Sequence, residues 1–480
     1  MDKRTICCTK LFQVLSMTAL SFLGSLSLVL AMEPSEGTAS VKLSGEFRTR
    51  GFYTDNIDHP IVVGSNSGAE AFGDMRFRLR TKVTSEHAMG VIVADFVNGY
   101  CAPSVATVQS VVPLGPVAGA PILIDQASGC PMGTVPTGNA RFGTGTAFGH
   151  SLNIVGVKEA YLMLNIKDTK LVAGRKHYRL GHGLVLSDTA TGVAGRRAFG
   201  PITLTVADLN LGDPAAIGMP GTGTGDDSDF YLIKVTDTPP AGSPYYGAEK
   251  YQAYLGWLAD PNGNLTYNGV SANEATMGLF GLSLHRYTYR TGGPVIDMEL
   301  NTIWGSIEGA GAADPKISGM SAMAEVTMGK SEVTFVYGSG QDPMQTPATG
   351  GKLNVNALSA NYKLGQILID NGYRSDRDGG SLDVKGRGIV ALKGAYKIVA
   401  NEKHSADVAV IFAQTTEDAS TTVASHNLGV EVGGHAECKL DKNLALSAGI
   451  GYLFAGKAWE TLNTNTHNPI HLHVGATLSF

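Results

Sequence analysis

The stretch VKLSGEFRTRGFY (41–53) alternates, residue by residue, between two kinds of side chain. Val41, Leu43, Gly45, Phe47, Thr49, Gly51 and Tyr53 take the odd positions; Lys42, Ser44, Glu46, Arg48, Arg50 and Phe52 take the even ones. MRFRLRTKV (75–83) does the same, setting Met75, Phe77, Leu79, Thr81 and Val83 against Arg76, Arg78, Arg80 and Lys82. Successive side chains of a strand point to opposite faces, so both runs predict strands with one apolar and one wet face. The C-terminal third continues the pattern. Leu428, Val430 and Val432 oppose Glu431, His435 and Glu437, and Leu472, Val474, Ala476, Leu478 and Phe480 oppose His471, His473, Thr477 and Ser479.

Soluble sandwiches alternate as well, and strand length separates the two cases. The alternating runs span roughly 10–15 residues, against about 5–6 for an ordinary strand and about 9–11 for a tilted membrane strand. Short polar turns, KDTK (167–170), GKSE (329–332), ANEK (400–403) and LDKN (440–443), alternate with longer links rich in Gly, Thr, Asp and Pro. That asymmetry belongs to outer-membrane barrels, with short periplasmic turns and long extracellular loops. Composition agrees. Charged residues are 16% of the 480, below the ~25% of a soluble domain, and 61 are glycine. At 43% hydrophobic the chain is too polar for a bundle of membrane helices. A net charge of −5 leaves no basic footprint for nucleic acid.

The reading is therefore all-β: a transmembrane antiparallel up-and-down β-barrel over 32–480, preceded by a cleaved signal peptide over 1–31. Lys3, Arg4 and Lys10 precede the apolar LFQVLSMTALSFLGSLSLVLA (11–31), which ends in small residues; an uncleaved anchor helix is the alternative. Nineteen candidate strands emerge, including 352–363 and 365–374 but none over 180–199. Because bacterial barrels have even strand numbers, eighteen are expected, with sixteen as the alternative and the surplus placed between 169 and 290. Such a barrel encloses an aqueous lumen.

With apolar faces on lipid, the other faces line the pore. The N-terminal strands supply Arg48, Arg50, Arg76, Arg78, Arg80 and Lys82, with Lys42, and closure adds His471 and His473. The middle and later strands supply Asp297, Glu299, Glu325, Glu332, Asp407 and Glu431, with Glu437. A basic wall facing an acidic one favours hydrophilic, charged or dipolar solutes. The segment 99–149 has Asp125 and Arg141 as its charged residues and is oddly apolar for a surface loop. It either folds inward as a constriction or packs against lipopolysaccharide or a neighbouring protomer. Cys101 and Cys130 bracket much of it, and a bridge between them would close a loop of about 30 residues, worth roughly 3–4 kcal/mol; two free thiols are the alternative. Cys438 falls on a lipid-facing register and is expected to be unpaired.

VKEAYLMLNIKDTKLVAGRKHYRLGHGLVLSDTATGVAGRRAFGPITLTV (157–206) resembles a segment of alginate-export-like and related proteobacterial porins. There an EAY-containing strand turns into a strand ending in GR, followed by a Gly-rich inward loop. The matching positions are Glu159, Ala160, Tyr161, Gly174 and Arg175, with Gly181, Gly183 and Asp188 in the loop. The resemblance implies that Arg175, Lys176, Arg179, Arg196 and Arg197 line the conduit. A final strand ending in Phe480 also resembles the signal read by the barrel-assembly machinery.

Together these readings point to a porin of a Gram-negative outer membrane, a passive diffusion channel for small hydrophilic solutes, anionic ones among them, through a charged water-filled lumen. An occluded structural or adhesive barrel is the alternative, and a hydrolase is the weaker one. His177, His182, Ser187 and Asp188 lie close in sequence but match no outer-membrane hydrolase pattern, so no catalytic residue is assigned. His467, His471 and His473 need no ligand, so no metal site and no cofactor are expected. Membrane lipid, lipopolysaccharide, the assembly machinery and a homotrimer are the expected partners.

Overall fold

The computed structural model describes residues 40–55, 70–101, 156–211, 229–237, 250–260, 266–267, 270–271, 274–288, 292–308, 316–342, 353–354, 362, 364–368, 387–463 and 467–480. The expected signal peptide, the interior of loop 99–149 and the Cys101–Cys130 pairing lie outside them. Eighteen strands form the wall. They are β1 (Ser40–Asp55), β2 (Glu70–Thr84), β3 (Ala88–Cys101), β4 (Gly156–Ile166), β5 (Thr169–Arg179) and β6 (Ser187–Phe199). Next come β7 (Ile202–Asn210), β8 (Asp229–Asp237), β9 (Lys250–Asp260), β10 (Glu274–Thr288), β11 (Val295–Glu308) and β12 (Lys316–Met328). The last six are β13 (Ser331–Gly338), β14 (Ile389–Ala400), β15 (His404–Gln414), β16 (Asn427–Lys439), β17 (Leu444–Ala455) and β18 (Ile470–Ser479).

Each strand pairs antiparallel with its sequence neighbours, and β18 returns to β1 in a register running from Glu46↔Ser479 to Asp55↔Ile470. Closure satisfies every ladder and leaves no edge, which a spanning sheet in lipid requires. The seam is tight: Gly45 and Phe480 exchange backbone hydrogen bonds of 2.8 and 3.0 Å. The Phe480 ring lies where a Cβ on Gly45 would sit, 2.4 Å away, and stacks on Phe77.

The outward register carries the apolar belt: Leu162, Val193, Val206, Ile233, Leu255, Trp257, Phe280, Leu300, Phe335, Leu392, Val410, Val432 and Ile450 are all exposed. No soluble surface presents such a contiguous apolar band, and lipid is the solvent that accepts it. Cys438 shares this register and is unpaired.

The expected strand number is met, but by different segments. Residues 187–199 form β6, paired with both β5 and β7, where the sequence suggested a Gly-rich loop. Of the expected strands over 352–363 and 365–374, the described residues do not belong to the wall. Leu353–Asn354 makes a two-residue parallel pairing with β12, and Leu364–Leu368 is a buried turn. A second difference concerns the interior. The inward faces of β7–β11 present Leu209, Phe230, Leu232, Leu258, Met277, Leu279 and Ile303, all buried in one apolar cluster. The lumen is therefore partly filled by side chains rather than uniformly wet.

Candidate functional site: a lumen narrowed by two inward loops

The turn joining β5 to β6 folds into the barrel. Leu180 N–H donates to Leu186 O (3.0 Å) and Gly183 N–H to Leu180 O (2.8 Å), closing a compact knuckle. Leu184, Val185 and Leu186 are fully buried in the interior cluster. The knuckle reaches Glu299 on β11. That carboxylate, 2% exposed, accepts His182 N–H (2.5 Å), Asn301 Nδ2 (2.8 Å) and the Tyr254 hydroxyl (2.9 Å). Gly181, at φ +53°, makes the approach possible, since a Cβ there would stand 2.5 Å from the Glu299 carboxyl carbon. Arg179 donates to the His182 carbonyl and braces the turn.

A second loop, Leu364–Leu368, uses the same device against β16. Glu431 is 1% exposed and accepts three backbone N–H groups: Gln366 (2.7 Å), Ile367 (3.2 Å) and Leu368 (2.7 Å). A Cβ on Gly365 would meet the Glu431 carboxylate at 2.5 Å. A buried carboxylate is costly by itself and tolerable when amide donors surround it. Leu180-Gly181-His182-Gly183-Leu184 and Leu364-Gly365-Gln366-Ile367-Leu368 are thus two Leu-Gly anchors, each clamped to a buried wall glutamate. Burial pushes the Tyr362 phenol beside the second loop up from its ordinary value, and Glu325, Glu299 and Glu332 push it the same way, with Arg179 opposing.

Glu299 and Glu431 were expected to line water; the structure instead makes them loop anchors. The remaining acidic positions stay on the inward register. Asp297 and Glu325 are partners across β11–β12, and Glu332 contacts Lys393 at 3.0 Å. Asp407 lies in register with Lys397 and His435. On the basic side, Arg76 pairs with Glu46 (2.5 Å) and Arg78 with Asp95 (2.6 Å). Arg80 is exposed and hydrogen-bonds the Tyr161 hydroxyl. Lys42 and Lys82 face each other in register, as do Arg48 and Arg76, while Arg50 lies 5.0 Å from the centroid of the Phe52 ring. His471 is buried, with His473 beside it at 3.3 Å.

In a ring of eighteen, β2 and β11 are nine places apart and therefore opposite. Arg80 and Lys82 lie just before the short turn after β2, and Asp297, Glu325 and Glu332 lie next to the short turns flanking β11–β13. The two walls thus oppose unlike charge at the same end of the barrel.

Of the residues implied by resemblance, Lys176 sits near the Tyr161 and Tyr178 rings (5.4 and 6.0 Å). Arg175 is exposed opposite Ala160 and Thr191. Arg197 lies over Phe199 at 5.1 Å, and Arg196 is in register with Lys170. Arg179 alone of this set contacts the inward turn. Asp188 belongs to β6, not to the loop. His177 Nε2 and Ser187 Oγ are 3.4 Å apart, and Asp188 accepts Thr189 N–H. Sequence reading missed the second inward loop and a grouping of His182, His285 and Asp297; the repeated Leu-Gly anchor was the available signal for the first of these.

No family model matches the chain, and no curated protein matches it. Among solved structures, Pseudomonas aeruginosa OccK9 (OpdG) superposes with a TM-score of 0.51 at 13% identity, covering 92% of this chain and 99% of that one. The outer membrane protein OpdK from Pseudomonas aeruginosa gives 0.48 at 12% identity over 92% and 99%. A BenF-like porin from Pseudomonas fluorescens Pf-5 gives 0.48 at 13% over 92% and 99%. These likenesses lend nothing to the alginate-export resemblance of 157–206. With its closed eighteen-stranded ring and apolar outer belt, this chain has the fold of an outer-membrane β-barrel and resides in the outer membrane.

Proposed function

We propose that the chain is a porin, a passive channel for small hydrophilic solutes. The observation that carries this reading is the placement of Arg80 and Lys82 across the lumen from Asp297, Glu325 and Glu332. Charge of both signs on inward faces is costly in a dry interior and natural along a water path. Anionic solutes would track the basic wall, with a transverse field orienting those that also carry positive charge. Phe480 would be read by the barrel-assembly machinery, and the outer belt would contact lipid, lipopolysaccharide and the partner copies of a homotrimer.

The apolar interior cluster supports a second reading, an occluded structural barrel. Planar-bilayer reconstitution separates the two. A channel gives discrete, stepwise currents in potassium chloride and passes small organic acids and sugars in liposome swelling; an occluded barrel gives neither.

A further inference from the structure

His182, His285 and Asp297 come from three elements: the first inward turn, β10 and β11. Their ligand atoms all lie within 4.8 Å of one another, and all three side chains are half-buried. The two imidazoles stack with centroids 3.9 Å apart, and His182 Nε2 stands 3.7 Å from Asp297 Oδ1. Each group is also hydrogen-bonded to its surroundings. His285 Nε2 contacts Ser283 Oγ (3.1 Å) and Gln252 Nε2 (3.3 Å), and His182 Nε2 contacts Leu284 O (2.9 Å). Asp297 Oδ1 accepts the backbone N–H of Arg286 at 2.8 Å.

An independent feature marks the same place. β10 carries a bulge between Leu284 and Tyr287 within which Arg286 has φ +48°. A non-glycine residue in the left-handed region is strained and persists where the surroundings over-determine it. Here the bulge re-aims His285 and delivers the Arg286 amide to Asp297. Such bulges concentrate at functional sites.

We infer that His182, His285 and Asp297 form a binding site for a divalent transition-metal ion, tested with Zn2+. Two imidazoles and one carboxylate are a borderline donor set suited to zinc, nickel or copper, and three protein ligands leave a position open to lumen water. Because His182 rides on the inward turn while the other two belong to the wall, the ion would fasten the constriction in place alongside Glu299. Binding is independent of whether the barrel conducts, so failure here and failure of the channel reading are separate results.

Equilibrium dialysis of the folded, detergent-solubilised full chain should show one saturable Zn2+ per chain at micromolar free metal. His285→Gln, His182→Gln and Asp297→Asn should each weaken it at least tenfold, since even outer partners of metal ligands are worth about 10–100-fold. His473→Gln, altering the separate His435/His471/His473 grouping, should leave it unchanged. Heat-modifiable migration confirms that each variant is folded, and the three ligand variants guard against one failing to assemble. Absence of saturable binding, binding retained in all folded ligand variants, or binding abolished by His473→Gln would overturn the site.

Discussion

Glu431→Ala should enlarge the unitary conductance step and destabilise the barrel. The substitution removes the acceptor of three backbone N–H groups on Leu364–Leu368 and opens space where Gly365 meets the wall. Each buried N–H left without an acceptor costs about 1–3 kcal/mol, enough in sum to release the loop from β16. Glu431→Gln keeps the volume and loses the charge, so its effect should be intermediate. Glu299→Ala should release the first turn in the same way, leaving His182 N–H without its acceptor while Tyr254 and Asn301 keep their bonds to each other and to Ser321. The two loops are clamped to different strands, β11 and β16, so the conductance gains should combine in the double variant. Single-channel recording and thermal unfolding measure both. A destabilised Glu431→Ala barrel with unchanged step size would mean that the second loop does not narrow the ion path.

Arg80→Gln/Lys82→Gln should move the reversal potential in a potassium chloride gradient toward cation preference. Both groups stand on the inward register near the short-turn end, within a Debye length (about 8 Å) of a passing ion. Charge at contact distance in water is worth about 1 kcal/mol, an upper limit of about fivefold in permeability ratio per residue removed. The paired substitution Arg76→Gln/Glu46→Gln should shift the potential less, because it removes no net charge; Arg78 is matched likewise by Asp95. Equal shifts from Arg76→Gln/Glu46→Gln and from Arg80→Gln would show that net charge on this wall does not set the selectivity.

Much of the wall was legible because β1, β2 and β14–β18 must alternate to face lipid on one side, and period two survives in any reading frame. β6 escaped because SDTATGVAGRRAF offers mostly small residues: Gly192 and Gly195 resemble loop punctuation, yet Gly192 sits where a Cβ would collide with the Asp208 carbonyl of β7. Leu364–Leu368 misled in the opposite direction, since an inward loop packed on an apolar interior needs leucines as a strand does. Register parity placed Glu299 and Glu431 on the inner face but carried no information about what stands in front of them. Both were read as pore lining and are instead clamps for loops that contact them across long sequence separations. For the same reason the grouping of His182 with His285 and Asp297 was invisible before folding brought the turn to β10 and β11.

Substituted-cysteine accessibility under voltage clamp tests most directly that inward residues line a water path through the barrel. In a background with the native cysteines replaced by serine, Arg80→Cys and Val83→Cys are exposed to a charged, water-soluble thiol reagent while current is recorded. Modification at position 80 should change the current within the exposure, and position 83, on the lipid-facing register, should leave it unchanged. Equal responses at the two positions, or a current change from position 83 alone, would contradict the conduit and its register together.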